Sequence, residues 1–233
     1  MQRAYVIHHR PFRESSVIVN LLVDGQGRVD AITRVGKGKR SIKSILQPFQ
    51  PLLIQFSYQP KNREQGLQSI QTIEPASPPM PLQGHSLYSG MYMNELLVRL
   101  ISVEHQASTL FVAYHQALMS LATEFNANSL RYFEMALLNE LGAMPELLHD
   151  TQEQAIESGS HYRYLFEQGF MPVFQAEHQA KPIRNVYSGD MLLALQQQQL
   201  TLAQTQAAKG LMRILLTPLL GDKPLLSRKL FQT

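Results

Sequence analysis

In the first third of the chain, apolar side chains recur with the period of two that is typical of strands. Five short segments are rich in β-branched and aromatic residues and are separated by turn residues: Ala4–His8, Ser16–Val23, Val29–Val35, Leu52–Tyr58 and Leu67–Ile73. The glycines of Asp24–Gly27 favour a hairpin between the second and third segments. Residues 41–47 can form one or two helical turns before the fourth. This order predicts an OB-type barrel, with a small SH3-like barrel as the alternative.

The apolar period changes to 3.6 after Glu74–Gln83, a stretch with four prolines in ten residues that indicates an extended linker. The new period predicts amphipathic helices over 87–100, 110–121, 130–141, 190–199 and 202–216. Residues 146–186 are irregular, polar and aromatic, which indicates a loop-rich insert with a hairpin around 162–174. The predicted fold class is therefore multi-domain α+β, with an OB-fold domain over 1–80 and an α-helical domain over 81–233.

Charge divides the chain at the same place. The 233 residues carry a formal net charge of +3, but residues 1–81 have a net charge of +6, residues 82–150 of −5 and residues 151–233 of +2. A change of sign between the first and middle thirds indicates a domain boundary and gives the N-terminal part a surface suited to polyanions.

Composition excludes several classes of site. Without any cysteine, the chain has no disulfide, no Cys-ligated zinc, no iron–sulfur cluster and no thiolate nucleophile. No apolar run approaches the length of a membrane helix, and the first fifteen residues lack the apolar core of a secretory signal. We therefore expect a cytoplasmic protein that has no contact with membranes.

The densest basic segment, RVGKGKRSIK, is the candidate for binding a phosphate backbone, because closely spaced cations on a glycine-containing loop can follow one. Its basic residues are Arg34, Lys37, Lys39, Arg40 and Lys43, and the supporting residues outside the segment are Arg10, Arg13, Lys61 and Arg63. The alternative interpretation is a solvated loop that only adds solubility. Phe49, Phe56 and Tyr58 are interpreted as barrel core and not as a stacking surface.

The chain contains no motif of catalysis. Gly36–Ser41 lacks the spacing of a phosphate-binding Walker loop, and the GxSxG and HExxH patterns and a compact acidic cluster are absent. His149, His161 and His178 are spaced too widely for a recognised metal site. We therefore predict no catalytic residue, no metal and no cofactor.

Four stretches together are similar to one known family. They are HHRPFRESSVIVNLLVDGQGRVDAITRVGKGKRS followed by LQPFQPLLIQF, then LYSGMYMNELLVRL, LRYFEMALLNELG and the tail GDKPLLSRKLF. On these motifs the chain resembles the bacterial RecO family of DNA repair proteins over nearly its full length. The resemblance implies an N-terminal OB domain and a C-terminal helical domain. It departs from many members in one respect, because the four zinc-binding cysteines of the insert are missing, so zinc is not expected here.

The resemblance implies a recombination mediator of the RecF pathway and no enzyme. Such proteins bind single- and double-stranded DNA without sequence preference, anneal complementary strands without ATP, and help to load RecA on DNA coated by single-stranded DNA-binding protein. The implied partners are DNA, RecR, the acidic C-terminal tail of single-stranded DNA-binding protein and, indirectly, RecA. The implied location is the cytoplasm, in association with the nucleoid.

Recruitment of an acidic tail that ends in an aromatic residue needs an apolar pocket rimmed by a cation. Arg99 and Arg131 are the only basic residues of the acidic middle third, and Arg131 lies in the helix that matches the family. The candidate tail site is therefore Arg131, Phe133, Leu137 and Leu138; the alternative is an exposed arginine paired with an acid. A protein–protein adaptor without direct DNA binding remains the alternative function, and a nuclease is disfavoured by the missing acidic cluster.

Overall fold

Five strands close into a barrel over the N-terminal part of the computed structural model. The structure describes residues 1–36, 41–58, 67–103, 105–173 and 184–232. The barrel strands are β1 (Gln2–Phe12), β2 (Ser16–Val23), β3 (Gly27–Arg34), β4 (Pro51–Tyr58) and β5 (Gln68–Pro75). Their order is β1-β2-β3-β5-β4, and pairing of β1 with β4 closes the sheet. The predicted OB-type barrel is confirmed.

The pairing pattern explains how a short chain closes this barrel. All neighbouring strands run antiparallel except β3 and β5, which pair in parallel at Ala31↔Gln68 and Ile32↔Ser69. A parallel pair needs a crossover connection, and here β4 and a 3₁₀ helix at Ile42–Ser44 lie between the two strands. An irregular register between Val6 and His8 marks the point where β1 bends, because a bulge kinks a strand and increases its twist.

Small and β-branched side chains fill the barrel. Along β3, buried and partly exposed residues alternate, so Val29 and Ala31 face the interior. β2 is buried on both faces from Val17 to Val23. Full burial of a valine or leucine contributes about 1.5 to 3 kcal/mol, so this apolar interior is a main source of the barrel's stability. The core consists of Ala4, Val6, Val17, Val19, Leu21, Val23, Val29, Ala31, Val35, Leu46, Leu52 and Ile54.

Two helices, α1 (Gly84–Leu100) and α2 (Leu110–Thr123), are attached to the barrel by polar contacts. Arg28 on β3 donates from Nη1 to the carbonyl oxygens of Val98 and Ile101 at 2.7 and 3.0 Å, at the C-terminal end of α1. The Tyr5 hydroxyl lies 2.6 Å from Nδ1 of His115 on α2. Gly27 has a φ of +78°, and a Cβ there would lie 2.6 Å from the backbone nitrogen of Ala107. The β2–β3 turn therefore requires glycine for its backbone conformation and for close packing.

The remaining elements form a second compact unit over residues 127–221, whereas the first unit contains 1–126 and 222–233. The second unit contains α3 (Ala127–Glu140), the strands β6 (His161–Leu165), β7 (Gly169–Val173) and β8 (Val186–Ser188), and the helices α4 (Gly189–Gln196) and α5 (Thr205–Leu220). All five predicted helices are therefore present. The Ser188 side chain accepts a hydrogen bond from the Met191 backbone N–H at 3.3 Å, so Ser188 is the N-cap of α4.

The predicted hairpin of the insert is also confirmed. β6 and β7 pair antiparallel, and β8 adds to the other edge of β6. Aromatic side chains pack this sheet, with ring centroids of Tyr164 and Phe170 5.6 Å apart and those of Phe170 and Tyr187 6.4 Å apart. Burial raises the pKa of Tyr187 to about 12. Aromatic packing therefore holds the described part of the insert.

The boundary between the two compact units does not coincide with the proline-rich linker. Because Arg28 and Tyr5 attach α1 and α2 to the barrel, the first unit extends past residue 80 to residue 126. The domain boundary at residue 80 therefore stays a prediction, and the structure does not separate the barrel from the first two helices. No helix within the described ranges is long and apolar enough to cross a membrane.

Candidate nucleic-acid interface

Four of the nine basic residues predicted to bind DNA lie in the described part of the chain, and all four are exposed: Arg10, Arg13, Arg34 and Lys43. The other five, Lys37, Lys39, Arg40, Lys61 and Arg63, lie outside the described residues. We call the four described residues the basic end of the barrel.

Strand register brings the basic end together. Ser16, the first residue of β2, pairs with Phe12 on β1 and with Arg34 on β3, so the end of β1 and the end of β3 flank the same residue. Backbone hydrogen bonds from Val35 N–H to the Ser15 carbonyl (2.9 Å) and from Ile42 N–H to the Val35 carbonyl (2.8 Å) continue this arrangement. They hold the 3₁₀ helix that carries Lys43 close to the end of β3.

Arg13 lies in the β1–β2 turn in an unusual backbone conformation. Its φ is +57°, in the left-handed region that side chains other than glycine seldom adopt. The guanidinium carbon lies 5.2 Å from the ring centroid of Phe12, which is within the range of a cation–π contact. The turn therefore presents a positive charge beside an aromatic ring at the basic end.

Two other barrel arginines are engaged in structural contacts. Arg3 donates from Nε to Asp24 at 2.9 Å, and Arg28 donates from Nε to Asp30 at 3.0 Å. Because each guanidinium already has a carboxylate partner, neither is as available for a phosphate as the basic end. Each pair is neutral, so the net charge of +6 over residues 1–81 comes from the other basic residues.

Two of the three aromatic residues interpreted as core, Phe49 and Phe56, are described as far as their side chains, whereas the side chain of Tyr58 lies outside the described part of the structure. Phe49 is buried, and Phe56 is partly buried against the barrel core. Phe49 also contacts α1, where a Cβ at Gly90 would lie 2.7 Å from its ring. These two rings therefore stabilise the first unit and are not offered as stacking surfaces.

The predicted tail site lies inside the second unit. Arg131 is 6% exposed, and Phe133, Leu137 and Leu138 are buried with it. Its Nη2 donates to Oε1 of Glu134 at 3.0 Å, and that carboxylate is also buried. The four side chains thus belong to the interior face of α3 and do not form an open pocket, so their binding role stays a prediction.

Three other cations, Arg99, Lys209 and Arg213, have environments different from that of Arg131. Arg99 donates from Nη2 to the Lys223 carbonyl at 2.8 Å, which attaches α1 to the C-terminal segment. Lys209 and Arg213 lie four residues apart on α5, and both are exposed. The sequence alone does not show which side chains of α3 are buried, because packing decides this.

A cavity of about 590 Å³ lies in the second unit, and sequence reasoning did not identify it. All of its fully charged lining residues are acidic: Glu146, Asp150, Glu153 and Glu167. The Asp150 carboxylate accepts hydrogen bonds from the backbone N–H groups of Gln152 and Gln154 at 2.8 and 3.0 Å. Among the residues described, no group of three or more His, Cys, Asp or Glu side chains is placed to hold a metal ion.

The architecture first defines a class of protein. A closed five-stranded barrel of OB type with exposed cations at one end, followed by a helical region, is an arrangement found in nucleic-acid-binding proteins. Two family models then match in succession: Recombination protein O N terminal over residues 1–79 and Recombination protein O C terminal over residues 81–222.

Full-length relatives agree with these matches. The DNA repair protein RecO of Yersinia pestis (strain Pestoides F) is 38% identical, over 99% of this chain and 93% of that protein. RecO of Yersinia enterocolitica serotype O:8 / biotype 1B has the same identity and coverage. The chain belongs to the RecO family of DNA repair proteins, which confirms the resemblance inferred from its motifs. This is a family of recombination mediators and not of known enzymes.

Proposed function

We propose that this chain is a recombination mediator that binds single- and double-stranded DNA without sequence preference. It anneals complementary strands without ATP and helps to load RecA on DNA coated by single-stranded DNA-binding protein. Membership of the RecO family over both halves of the chain carries this proposal. The grouping of exposed cations at the basic end of the barrel supports it. The work takes place on DNA, so the location is the cytoplasm at the nucleoid.

The basic end suits phosphate contacts better than base recognition. Arg10, Arg34 and Lys43 are long, exposed cations that can follow a backbone, and Arg13 adds a guanidinium held over a ring. The proposed surface also includes Lys37, Lys39, Arg40, Lys61 and Arg63. Annealing requires two phosphate backbones to be neutralised while the base edges stay free to pair. Contacts that carry no base information meet this requirement.

The proposed protein partners are RecR and the acidic tail of single-stranded DNA-binding protein. For the tail we retain Arg131, Phe133, Leu137 and Leu138 on α3. Because these side chains are buried, binding there requires α3 to open toward the peptide, and this requirement makes the proposal easy to test. The exposed pair Lys209 and Arg213 is the alternative cationic site for the same tail.

Filter binding tests the proposed function against a pure adaptor. A labelled deoxythymidine oligonucleotide and a duplex of equal length are titrated at about 50 mM and about 200 mM salt. If four phosphates are contacted by the single strand, affinity for it falls by about 50-fold between the two conditions. An adaptor without direct DNA binding retains neither probe at the lower salt concentration. Annealing of two unrelated complementary pairs at equal rates tests the independence from sequence.

A further inference from the structure

Four aromatic side chains that are far apart in the sequence meet on the first unit. We call them the aromatic cluster: His85, Tyr88, Phe125 and Phe231. The His85 ring centroid lies 6.2 Å from that of Tyr88, 5.8 Å from that of Phe125 and 6.1 Å from that of Phe231. The rings of His85 and Phe231 are nearly parallel, with an interplanar angle of 16°.

Three of the four rings of this cluster are exposed. Phe125 is 46% exposed, Phe231 is 39% exposed and His85 is also exposed, whereas Tyr88 is half-buried. Tyr5 and Tyr114, by contrast, are almost completely buried and form the contact between barrel and helices. Isolated apolar side chains on a surface need no explanation, but adjoining exposed rings indicate a binding surface.

The segment that carries Phe231 has a net positive charge, which favours a polyanion, although the exposed acid Glu124 directly precedes Phe125. Phe231 lies at the end of residues 222–232, which contain Lys223, Arg228 and Lys229 against a single acid, Asp222. Lys229 is exposed, two residues before Phe231. His85 lies in the first turn of α1, a turn without acidic residues, where the helix dipole is positive. Rings and cations together match a ligand that has flat apolar groups joined by phosphates.

We propose that the aromatic cluster stacks unpaired bases of single-stranded DNA, at a second contact separate from the basic end. The inference rests on the proposed DNA binding and adds a site to it. Bases of any sequence have a flat face, so stacking on Phe231, Phe125 and His85 needs no particular sequence. Exposed phenyl and imidazole faces on a unit with a net positive charge fit a nucleotide better than an uncharged apolar peptide.

The basic end and the aromatic cluster differ in their preference for single- or double-stranded DNA. The basic end neutralises phosphates, which single strands and duplexes both have. The aromatic cluster requires unstacked bases, which only a single strand offers, because the bases of a duplex are already paired and stacked. Single-strand selectivity therefore belongs to the aromatic cluster.

Alanine variants with three DNA probes separate these contributions. The probes are a deoxythymidine oligonucleotide, a base-free phosphodiester oligomer of the same length and a duplex, each measured by fluorescence anisotropy. Phe231→Ala and His85→Ala should weaken deoxythymidine binding by about fivefold or more, because one stacked base is lost, and leave the other two probes unaffected. Leu226→Ala is the matched control, since it removes an apolar side chain that is 66% exposed in the same segment. Phe231→Tyr should restore binding.

The absence of tryptophan from the chain allows a direct optical test. Phe231→Trp introduces the only indole, and its emission should be quenched by the deoxythymidine oligonucleotide and left unchanged by the base-free oligomer. Phe166→Trp is the control, because Phe166 is 60% exposed and lies in the second unit. Its emission should respond to neither probe.

Each outcome decides the inference. The inference is supported if the alanine variants lose their preference for the deoxythymidine oligonucleotide over the base-free oligomer, and if the oligonucleotide quenches the emission of Phe231→Trp but not that of Phe166→Trp. Unchanged deoxythymidine affinity in folded Phe231→Ala and His85→Ala overturns it, even though the wild-type protein binds DNA. If the alanine substitutions weaken binding to all three probes equally, the inference is also overturned, and the rings have only a structural role. If quenching follows addition of an acidic peptide and never of DNA, the cluster is a protein site. Failure of the wild type to bind any probe removes the proposed function as well.

Discussion

At the scale of single residues, Gly189 is required because the backbone of Glu157 passes too close to admit a side chain. A Cβ built on Gly189 would lie 1.9 Å from the Glu157 carbonyl oxygen. Its own backbone N–H donates to the Ser160 carbonyl at 2.8 Å, which attaches the start of α4 to the insert. Gly210, in the middle of α5, has no atom within 4 Å of the corresponding position. Two glycines on neighbouring helices therefore have opposite steric requirements.

We expect Gly189→Ala to lower the free energy of unfolding by about 1 to 3 kcal/mol, because backbone must move to admit the methyl group. Gly210→Ala should raise it by about 0.5 to 1 kcal/mol, because glycine costs that amount in a helix interior. Urea denaturation of both variants measures the two effects. Stabilisation by Gly189→Ala would contradict the close approach.

Glu95 attaches the C-terminal segment to α1. Its carboxylate accepts hydrogen bonds from the Leu226 and Ser227 N–H groups, both at 2.8 Å, and from the Ser227 hydroxyl at 2.5 Å. Burial alone would raise the pKa of Glu95, but these hydrogen bonds and the charge of Arg99 lower it below its ordinary value of 4.5. The folded state therefore stabilises the ionised form of the Glu95 carboxylate.

A lowered pKa in the folded state means that the stabilisation is fully present above about pH 5 and is lost as the pH falls through the folded pKa. We expect Glu95→Gln to cost about 1 kcal/mol at pH 7, a modest amount because the carboxylate is partly exposed. The difference from wild type should vanish in acid. Urea midpoints from pH 7 to pH 3 measure it, with exposed Glu14→Gln as the control. A difference that persists in acid would contradict the role of the charge.

At the scale of elements, α3 combines an apolar interior face with a buried ion pair. Arg131 and Glu134 lie three residues apart, so they share one face of the helix, and Phe133 on another face is buried as well. Removal of one member of such a pair is costly, whereas replacement of both by apolar residues is often neutral or stabilising. This asymmetry separates a structural role from a binding role.

We expect Arg131→Ala to lower the free energy of unfolding by about 3 to 5 kcal/mol, because the Glu134 carboxylate stays buried without its guanidinium. The double variant Arg131→Met with Glu134→Leu should recover most of this loss. Thermal and urea unfolding of the two variants and the wild type measure the effect. Equal instability of the single and double variants would contradict the ion-pair argument.

The same double variant tests the proposed tail site in a folded protein. If Arg131 binds the acidic tail of single-stranded DNA-binding protein, the double variant should lose about 1.5 to 3 kcal/mol of peptide binding. Fluorescence anisotropy with a labelled tail peptide measures the loss. Unchanged affinity would remove Arg131 from the site and make Lys209 and Arg213 the next residues to replace.

At the scale of the whole molecule, charge follows the compact units more closely than it follows thirds of the sequence. The unit with the barrel, residues 1–126 and 222–233, has a formal net charge of +6, and residues 127–221 have a net charge of −3. The C-terminal segment therefore adds its positive charge to the barrel unit. The net charge of the first unit favours DNA contacts there, where the basic end and the aromatic cluster both lie.

We expect replacement of Arg10, Arg13, Arg34 and Lys43 by alanine to reduce the salt dependence of single-strand binding. At about 0.7 per phosphate contact, the log–log slope should become less steep by about 3. Lys209→Ala with Arg213→Ala removes two exposed cations from the second unit and should leave the slope unchanged. Titrations at four salt concentrations give the slopes, and circular dichroism confirms folding. A wild-type slope in the quadruple variant would place the DNA path elsewhere.

The strands and helices could be predicted from the sequence alone, because the strand period of two and the helix period of 3.6 are properties of residues that are close together in the chain. The five barrel strands, the helices, the hairpin of the insert and the Ser188 cap all follow from such local patterns. The family was recognisable for the same reason, since its motifs are short and contiguous.

Only the tertiary structure decided which side chains meet and which are accessible to a ligand. Arg131 is a cation in sequence, but packing of α3 buries it, and Arg28 donates to carbonyl oxygens at the end of α1, 70 and 73 residues later. The aromatic cluster joins His85 to Phe231 across most of the chain. No local pattern contains such contacts, because they depend on how buried faces pack against one another. The elements were therefore readable from the sequence, and the exposed surfaces required the fold.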